Sequence, residues 1–161
     1  MGNTHPAPQR QPWRIFSTRV TPSGLYARQK WLGEEQTPSW RQDFDQTVAG
    51  LRHGQQASGL WQDSPLATIH HLFGLHLTVR AADPDIDRAL DALLKHAENL
   101  TPAADDTRIT RKELAGLPFT SARWGDLLPP AVLFLSAIFG RASDPRVIAL
   151  YSRIASDLSA S

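Results

Sequence analysis

Cysteine is missing from all 161 residues. That one absence excludes disulfide scaffolds, thiolate zinc sites, iron–sulfur ligation and cysteine nucleophiles, while leaving the redox compartment open. A dominant charge of either sign is missing as well. The chain has 17 Lys/Arg against 16 Asp/Glu, a formal net charge of +1, too small to argue for a nucleic-acid partner. No apolar run reaches the ~20 residues that a bilayer span needs. The longest strongly apolar stretch, Leu127–Gly140, is interrupted by Pro129-Pro130. The opening residues, Met1 to Pro12, are polar and proline-rich with no apolar leader segment, and Pro6 stands where a myristoylation pattern places Ser or Thr. No G-x-S-x-G, Gly-rich phosphate loop or His-Glu-x-x-His occurs, so no cofactor and no metal are expected. The expectation is a soluble, cytoplasmic chain.

What is present is the composition of a packed globule: 41% hydrophobic and 20% charged residues, at a length that sets a prior of one domain. The charge is unevenly spread. Residues 1–53 carry 7 basic against 4 acidic residues, residues 54–107 carry 3 against 8, and residues 108–161 return to 7 against 4. This pattern reads as solvated helix faces, with an acidic middle turned toward a basic partner as the alternative.

Residues 1–24 read as an extended leader, because Pro6, Pro8, Pro12 and Pro22 cannot all lie inside helices, with Trp13 and Phe16 pinning it to the body. From residue 25 to 161 the pattern is that of a single helical-repeat domain. Trp40, Phe44, Val48 and Leu51 form one stripe on a helix over 40–53. Ile86, Ala89, Leu90, Leu93, Leu94 and Ala97 follow the i, i+3, i+4, i+7 template, as do Val147, Leu150, Tyr151, Ile154, Ala155 and Leu158. Leu66–Val79 and Ala131–Phe139 are apolar on nearly every side, which predicts helices buried on more than one face. Ser64-Pro65, Asp83-Pro84 and Asp144-Pro145 each put a capping side chain before a proline at the first helical position. Thr110 and Glu113 form a capping box that predicts a short helix at 110–116. No period-2 segment with turn chemistry supports a sheet, so the fold class is all-α.

The order of these helices repeats. Trp61-Gln62-Asp63 leads into an apolar helix and Asp83-Pro84 opens an amphipathic one; Trp124-Gly125-Asp126 and Asp144-Pro145 do the same further on. Alternation of a buried and a half-buried helix describes stacked helical hairpins, about three of them, in a partial α/α toroid or an open arc.

The stretch Leu51 to Trp61 contains Gln55-x-x-x-Gly59-x-Trp61 with an aliphatic residue four positions before the glutamine. It resembles the QW motif of the terpene cyclase and squalene–hopene cyclase superfamily, whose α/α toroids include the protein prenyltransferase β-subunits. Trp31-Leu32-x-x-x-Gln36, followed by Pro38-Ser39-Trp40, resembles a shortened second copy. The motif has a physical sense: the glutamine bonds a free helix end while the indole stacks over it. What the resemblance implies is a toroidal fold whose inner helices and their N-terminal turns line an apolar pocket.

The chemistry of that superfamily finds few matching residues. Class II cyclases protonate an alkene with an Asp-rich DxDD motif, whereas Asp83-x-Asp85-x-Asp87 alternates and sits where capping and first-turn acids belong. Asp105-Asp106 lies in a proline-bearing loop, a poor platform for a buried acid. Prenyltransferases hold zinc with Asp, Cys and His, a set this chain cannot assemble. His70, His71 and His76 share one helix without the i, i+4 spacing of paired ligands, and His76 reads as a hydrogen-bonded core residue. The pocket candidates are therefore Trp61, Asp63, His70, His71, Trp124 and Asp126, in a pocket that five tryptophans would suit. No residue is assigned as catalytic.

A closed ring of the superfamily uses about six hairpins, and this chain has room for about three. The leading expectation is a binding or accessory module for an apolar, isoprenoid-like ligand or a partner subunit, associating as a homo- or hetero-oligomer. The alternatives are an enzyme whose site is completed by a second chain, with Asp63, His70, His71 or Asp126 as acid or base, and a structural interaction module.

Overall fold

The computed structural model describes residues 15–100 and 107–160. The first fourteen residues of the expected leader, Trp13 among them, and the Asp105-Asp106 pair lie outside the described residues. Among the described residues there are six α-helices: α1 (Pro22–Leu32), α2 (Pro38–Arg52), α3 (Pro65–Thr78), α4 (Pro84–Asn99), α5 (Trp124–Ile138) and α6 (Pro145–Ala160). No strand occurs among the described residues; extended backbone pairs only at isolated bridges, such as Arg108 with Arg123.

Capping fixes where most of these helices begin. The Ser64 hydroxyl accepts from the Ala67 amide at 3.2 Å. Asp83 accepts from the amides of Asp85 (3.0 Å) and Ile86 (3.1 Å), and Asp144 from that of Arg146 at 2.9 Å. Thr21 and Thr37, each also followed by proline, cap α1 and α2 in the same way. Each cap satisfies an otherwise orphaned donor and is worth about 1 kcal/mol. Helix α1 thus begins at Pro22, inside the segment expected to be extended to residue 24. Helix α5 is the exception: its N-cap Arg123 makes no side-chain cap bond, and the helix runs from Trp124 through Pro129 and Pro130 rather than starting after them. The Thr110–Glu113 capping box forms, with Glu113 accepting from the Thr110 amide (2.8 Å) and hydroxyl (2.7 Å). It closes a run of turns, however, and no helix forms at 110–116: the Leu114 amide bonds back to the Thr110 carbonyl at 3.1 Å, but the bonds that follow, Ala115 to Lys112 (3.3 Å) and Leu117 to Leu114 (3.0 Å), span only three residues.

Packing follows the alternation read from the sequence. Helix α3 lies against α1, α2, α4 and α5, and α5 against α3, α4 and α6. The all-round-apolar helices α3 and α5 are therefore neighbours along one side, and α4 and α6 are neighbours along the other. The predicted stripe of α4, Ile86, Ala89, Leu90, Leu93, Leu94 and Ala97, is fully buried. Each large member contributes about 1.5–3 kcal/mol by leaving water. Helix α1 packs on neither α5 nor α6, so the three hairpins form an open row.

Arginines stitch the row. Arg28, 3% exposed, donates to Glu34 (2.8 Å) and Asp43 (2.7 Å), joining α1 to α2. Burial works against its charge, but the bonds to Asp43 and Glu34 outweigh that and raise its pKa further. Arg52 at the end of α2 pairs with Asp83, the cap of α4. Arg141 reaches Asp91 (2.8 Å) and Asp144 (2.7 Å), Arg146 shares both carboxylates, and Arg153 donates to the Ala97 carbonyl at 2.7 Å. The middle and the C-terminal end of α4 are thereby tied to the last hairpin, and its N-terminal end to α2.

Candidate functional site

The QW-like residues build the joint between α2, α3 and α4. The last turn of α2 leaves carbonyls without helical donors. Two rings from the following segment supply them: the Trp61 indole Nε1 donates to the His53 carbonyl at 3.1 Å, and His71 Nδ1 donates to the Leu51 carbonyl at 2.7 Å. The two rings stack on each other at 4.7 Å with an interplanar angle of 11°. Gln55 Nε2 donates to the Gly59 carbonyl (3.0 Å) and to the Asp85 carbonyl in the first turn of α4 (2.8 Å). Gly59 makes that reach feasible, since it has φ +90° and any Cβ there would lie 2.5 Å from the Arg88 carbonyl oxygen. The division of labour differs from the expected one. The indole, not the glutamine, bonds the free helix end, and the indole stacks on His71.

The remaining sequence candidates are spread out. Asp63 and its neighbour Gln62 adopt left-handed backbone angles (φ 51° and 55°). Asp63 is held by Gln56, whose amide donates to its carboxylate at 3.0 Å and accepts from its backbone N–H at 2.8 Å. His70 Nε2 donates to the Glu113 carbonyl at 2.7 Å, fastening the 107–117 segment to α3. Trp124 opens α5 and packs half-buried against the core, and Asp126 is exposed beside Arg123 at 3.6 Å. Trp61 is 2% exposed, too deep to meet a ligand. The structure joins Trp61 to His71, and it places Asp63, His70, Trp124 and Asp126 in separate local contacts. Asp83, Asp85 and Asp87 serve as cap and as arginine partners, in line with the capping reading. Among the described residues no cluster of His, Asp and Glu is arranged to hold a metal ion.

A different group of side chains converges. Phe73 and His76 of α3 meet Phe134 of α5, His76 also meets Phe139 at the C-cap of α5, and Phe119 from the segment before α5 closes over Phe134. The ring centroids are 5.8 Å apart for Phe119 and Phe134, 6.3 Å for Phe73 and Phe134, and 6.1 Å for His76 and Phe139. Most of these contacts are edge-to-face or tilted, the favoured arrangement for aromatic rings. Phe134 stands 36% exposed at the mouth of the cluster. His76 Nδ1 is buried with no hydrogen-bond partner among the described residues, which corrects the expectation of a hydrogen-bonded core histidine: aromatic rings surround it instead. Burial, helped by the charge of Arg80, holds its pKa below the usual histidine value, so the ring is neutral at pH 7. A shallow depression of about 230 Å³ adjoins Phe119, between Pro118, Leu127 and Pro130, with Asp126 at its edge.

Part of a signal for this cluster is in the sequence: Phe73 and His76 lie three apart on α3, a helix apolar on nearly every side, but no pattern says which rings of α5 and its flanking segments they meet. Trp40 and Trp61, by contrast, do structural work: Trp40 donates from its indole to the Leu25 carbonyl at 3.1 Å, much as Trp61 does to that of His53. No helix of the described residues is long and apolar enough to cross a membrane. Compared with known protein families, curated proteins and solved structures, the chain has a match in none of the three.

Proposed function

We propose that this chain is a helical-repeat binding or accessory module that holds an apolar, isoprenoid-like molecule against the aromatic cluster of α3 and α5. The observation that supports this reading is the convergence of Phe73, His76, Phe119, Phe134 and Phe139 from three separate segments, with Phe134 exposed. Apolar ligand sites are lined this way, by several rings and a few polar atoms that fix orientation. The Nδ1 of His76 is enclosed by these rings without a hydrogen-bond partner among the described residues, so a ligand that displaces the half-exposed Phe134 ring would bring a hydroxyl to it. The acid and base candidates, in contrast, are committed to helix ends, turns and loops, which argues for holding a molecule rather than transforming it.

The test is direct. The protein is purified, extracted with organic solvent and analysed by mass spectrometry, and the stripped protein is titrated with a fluorescent naphthalene dye and with a polyene alcohol. Binding that falls about tenfold or more in Phe134→Asp and Phe73→Ala, but not in Trp31→Ala, supports the reading. No bound molecule and no titration, or equal loss in all three variants, defeats it.

A further inference from the structure

Histidine changes charge near pH 6.5, and a protonated ring carries two N–H donors instead of one. Four of the five described histidines can accept that change in place. His53 and His96 are exposed to water. His70 and His71 already donate to the carbonyls of Glu113 and Leu51, and the added proton leaves both bonds standing. His76 is different. Its Nδ1 is buried without a partner among the described residues, and the rings of Phe73, Phe134 and Phe139 lie 6.3, 6.4 and 6.1 Å from the imidazole. No carboxylate faces it. Helix α5 has no ionisable side chain between Asp126 and Arg141. The segment from Leu117 to Ala122 has none either, and Glu113 before it is held by Thr110. Helix α4 turns its apolar stripe to the core, and α1 and α2 meet α3 at Gly74, where Pro22 and Leu51 pack about 200° round the helix from His76. The charge that bears on His76 is Arg80, four residues on, and it has the wrong sign to help an imidazolium.

We propose that His76 is an acid-triggered gate on the aromatic cluster: once protonated, its ring turns out to water past Phe134, and the Phe119 flap lifts from the mouth. A charge and an unmatched N–H among apolar rings cost more than the ring faces return. Burial, with Arg80 adding to it, pushes the ring's pKa down, so the closed cluster holds the neutral form and the open one takes up the proton. Opening therefore rises as the pH falls below about 6.5. The way out is short, because His76 is half-buried and Phe134 is 36% exposed. The flap is fastened only at its ends. The Leu117 amide bonds the Leu114 carbonyl (3.0 Å) and the Ala122 carbonyl accepts from the Ile109 amide (2.8 Å), whereas residues 118–121 make no backbone–backbone hydrogen bond among the described residues. The depression of about 230 Å³ beside Phe119 gives the lifted ring room. As the entry route of an apolar molecule the gate rests on the ligand reading; the opening itself does not.

Two readouts on the full chain separate the gate from the ligand. Hydrogen exchange of the peptide spanning 117–122, corrected for the intrinsic chemical rate, reports the flap with no ligand present. Between pH 7 and pH 5 its protection should fall about fivefold or more while the helical circular dichroism is unchanged. The midpoint should match that of the His76 ring followed by NMR, and lie below those of the exposed His53 and His96. His76→Phe and His76→Gln, neutral at every pH, should each abolish the response; the glutamine serves if the phenylalanine distorts the packing. A fluorescent naphthalene dye should bind more at pH 5 than at pH 7 in the unchanged protein, and equally at both in the two variants. Exchange that responds with no dye bound at either pH supports the gate and defeats the ligand reading. Equal flap protection at the two pH values, a His76 midpoint no lower than those of the exposed histidines, or an acid response that survives both substitutions overturns the proposal.

Discussion

Two stretches of this chain begin with the same letters and build different things. Trp61-x-Asp63 and Trp124-x-Asp126 each precede or open an apolar helix that is followed by an Asp-Pro cap. Trp61 sits in a tight loop three residues ahead of the Ser64 cap, and from there its indole reaches back to the His53 carbonyl. Trp124 has no such cap after it; the helix starts on the tryptophan itself, and the ring stays half-buried on the core. The aspartates diverge as well: Asp63 is clamped by Gln56 in a left-handed turn, and Asp126 is a first-turn acid beside Arg123. The difference teaches that a Trp-x-Asp signature has no structural meaning alone. The cap that follows and the glutamines that precede it decide what the tryptophan can touch.

The sharpest way to break that contrast is to remove the two rings in turn. Trp61→Ala should cost about 3–5 kcal/mol, since it empties a fully packed site and strands the His53 carbonyl and the His71 ring, whereas Trp124→Ala should cost about half as much. Urea denaturation of the two variants checks this, and equal losses would erase the distinction between the loops. Next comes the glycine under the first loop. Gly59→Ala forces a Cβ against the α4 backbone at a positive φ and should cost about 2–3 kcal/mol, while Gly116→Ala, at nearly the same φ with open space around it, should cost about 1 kcal/mol.

Smaller effects separate the two Asp-Pro caps. Asp144 takes two arginines, and its bonds to Arg146 hold its carboxyl well below the usual range, with Arg141 adding to that. Asp83 is also lowered: burial opposes its charge, but the Ile86 amide and Arg52 outweigh it. A depressed carboxylate stabilises the fold above its unfolded pKa and loses that contribution as the pH falls through about 4 and below. Asp144→Asn should therefore cost about 1–2 kcal/mol at neutral pH and flatten the acid limb of the stability curve more than Asp83→Asn does. His76 works on a different limb. Its folded pKa is lowered, so the fold resists protonation, and stability should decline as the pH drops below about 6.5. His76→Phe should remove that decline in thermal melts between pH 7 and 5, and an unchanged slope would place the titrating group elsewhere. The smallest effect, about 0.5–1 kcal/mol, is expected for Gln56→Ala, which frees Asp63 without touching the core.

The helices were legible because their causes are local. Asp83-Pro84 with Ile86, Leu90, Leu93 and Leu94 states both where α4 starts and which face it buries. The alternation of α3 and α5 with α4 and α6 was legible too, since an all-round-apolar helix must sit between others. The course of α5 was not. Pro129 and Pro130 each remove one amide donor, and only the packing of Leu128, Ala131 and Val132 around them shows that the helix continues. The site was the least legible part. Trp61, His70 and His71 drew notice as chemically rich residues, yet each is consumed by a carbonyl distant in sequence. Phe119, Phe134 and Phe139 drew none, because a phenylalanine announces nothing until its neighbours in space are known.

The row order has a consequence for how the chain comes to be folded. No helix needs a partner more than two places further along: α1 is complete once α3 has formed, and α4 once α6 has. Contacts of that range close quickly, since the loop entropy is small. A nascent chain can therefore lay down its hairpins in the order in which they emerge from the ribosome. The last hairpin, with the arginines that fasten α4, arrives as the step that locks the stack.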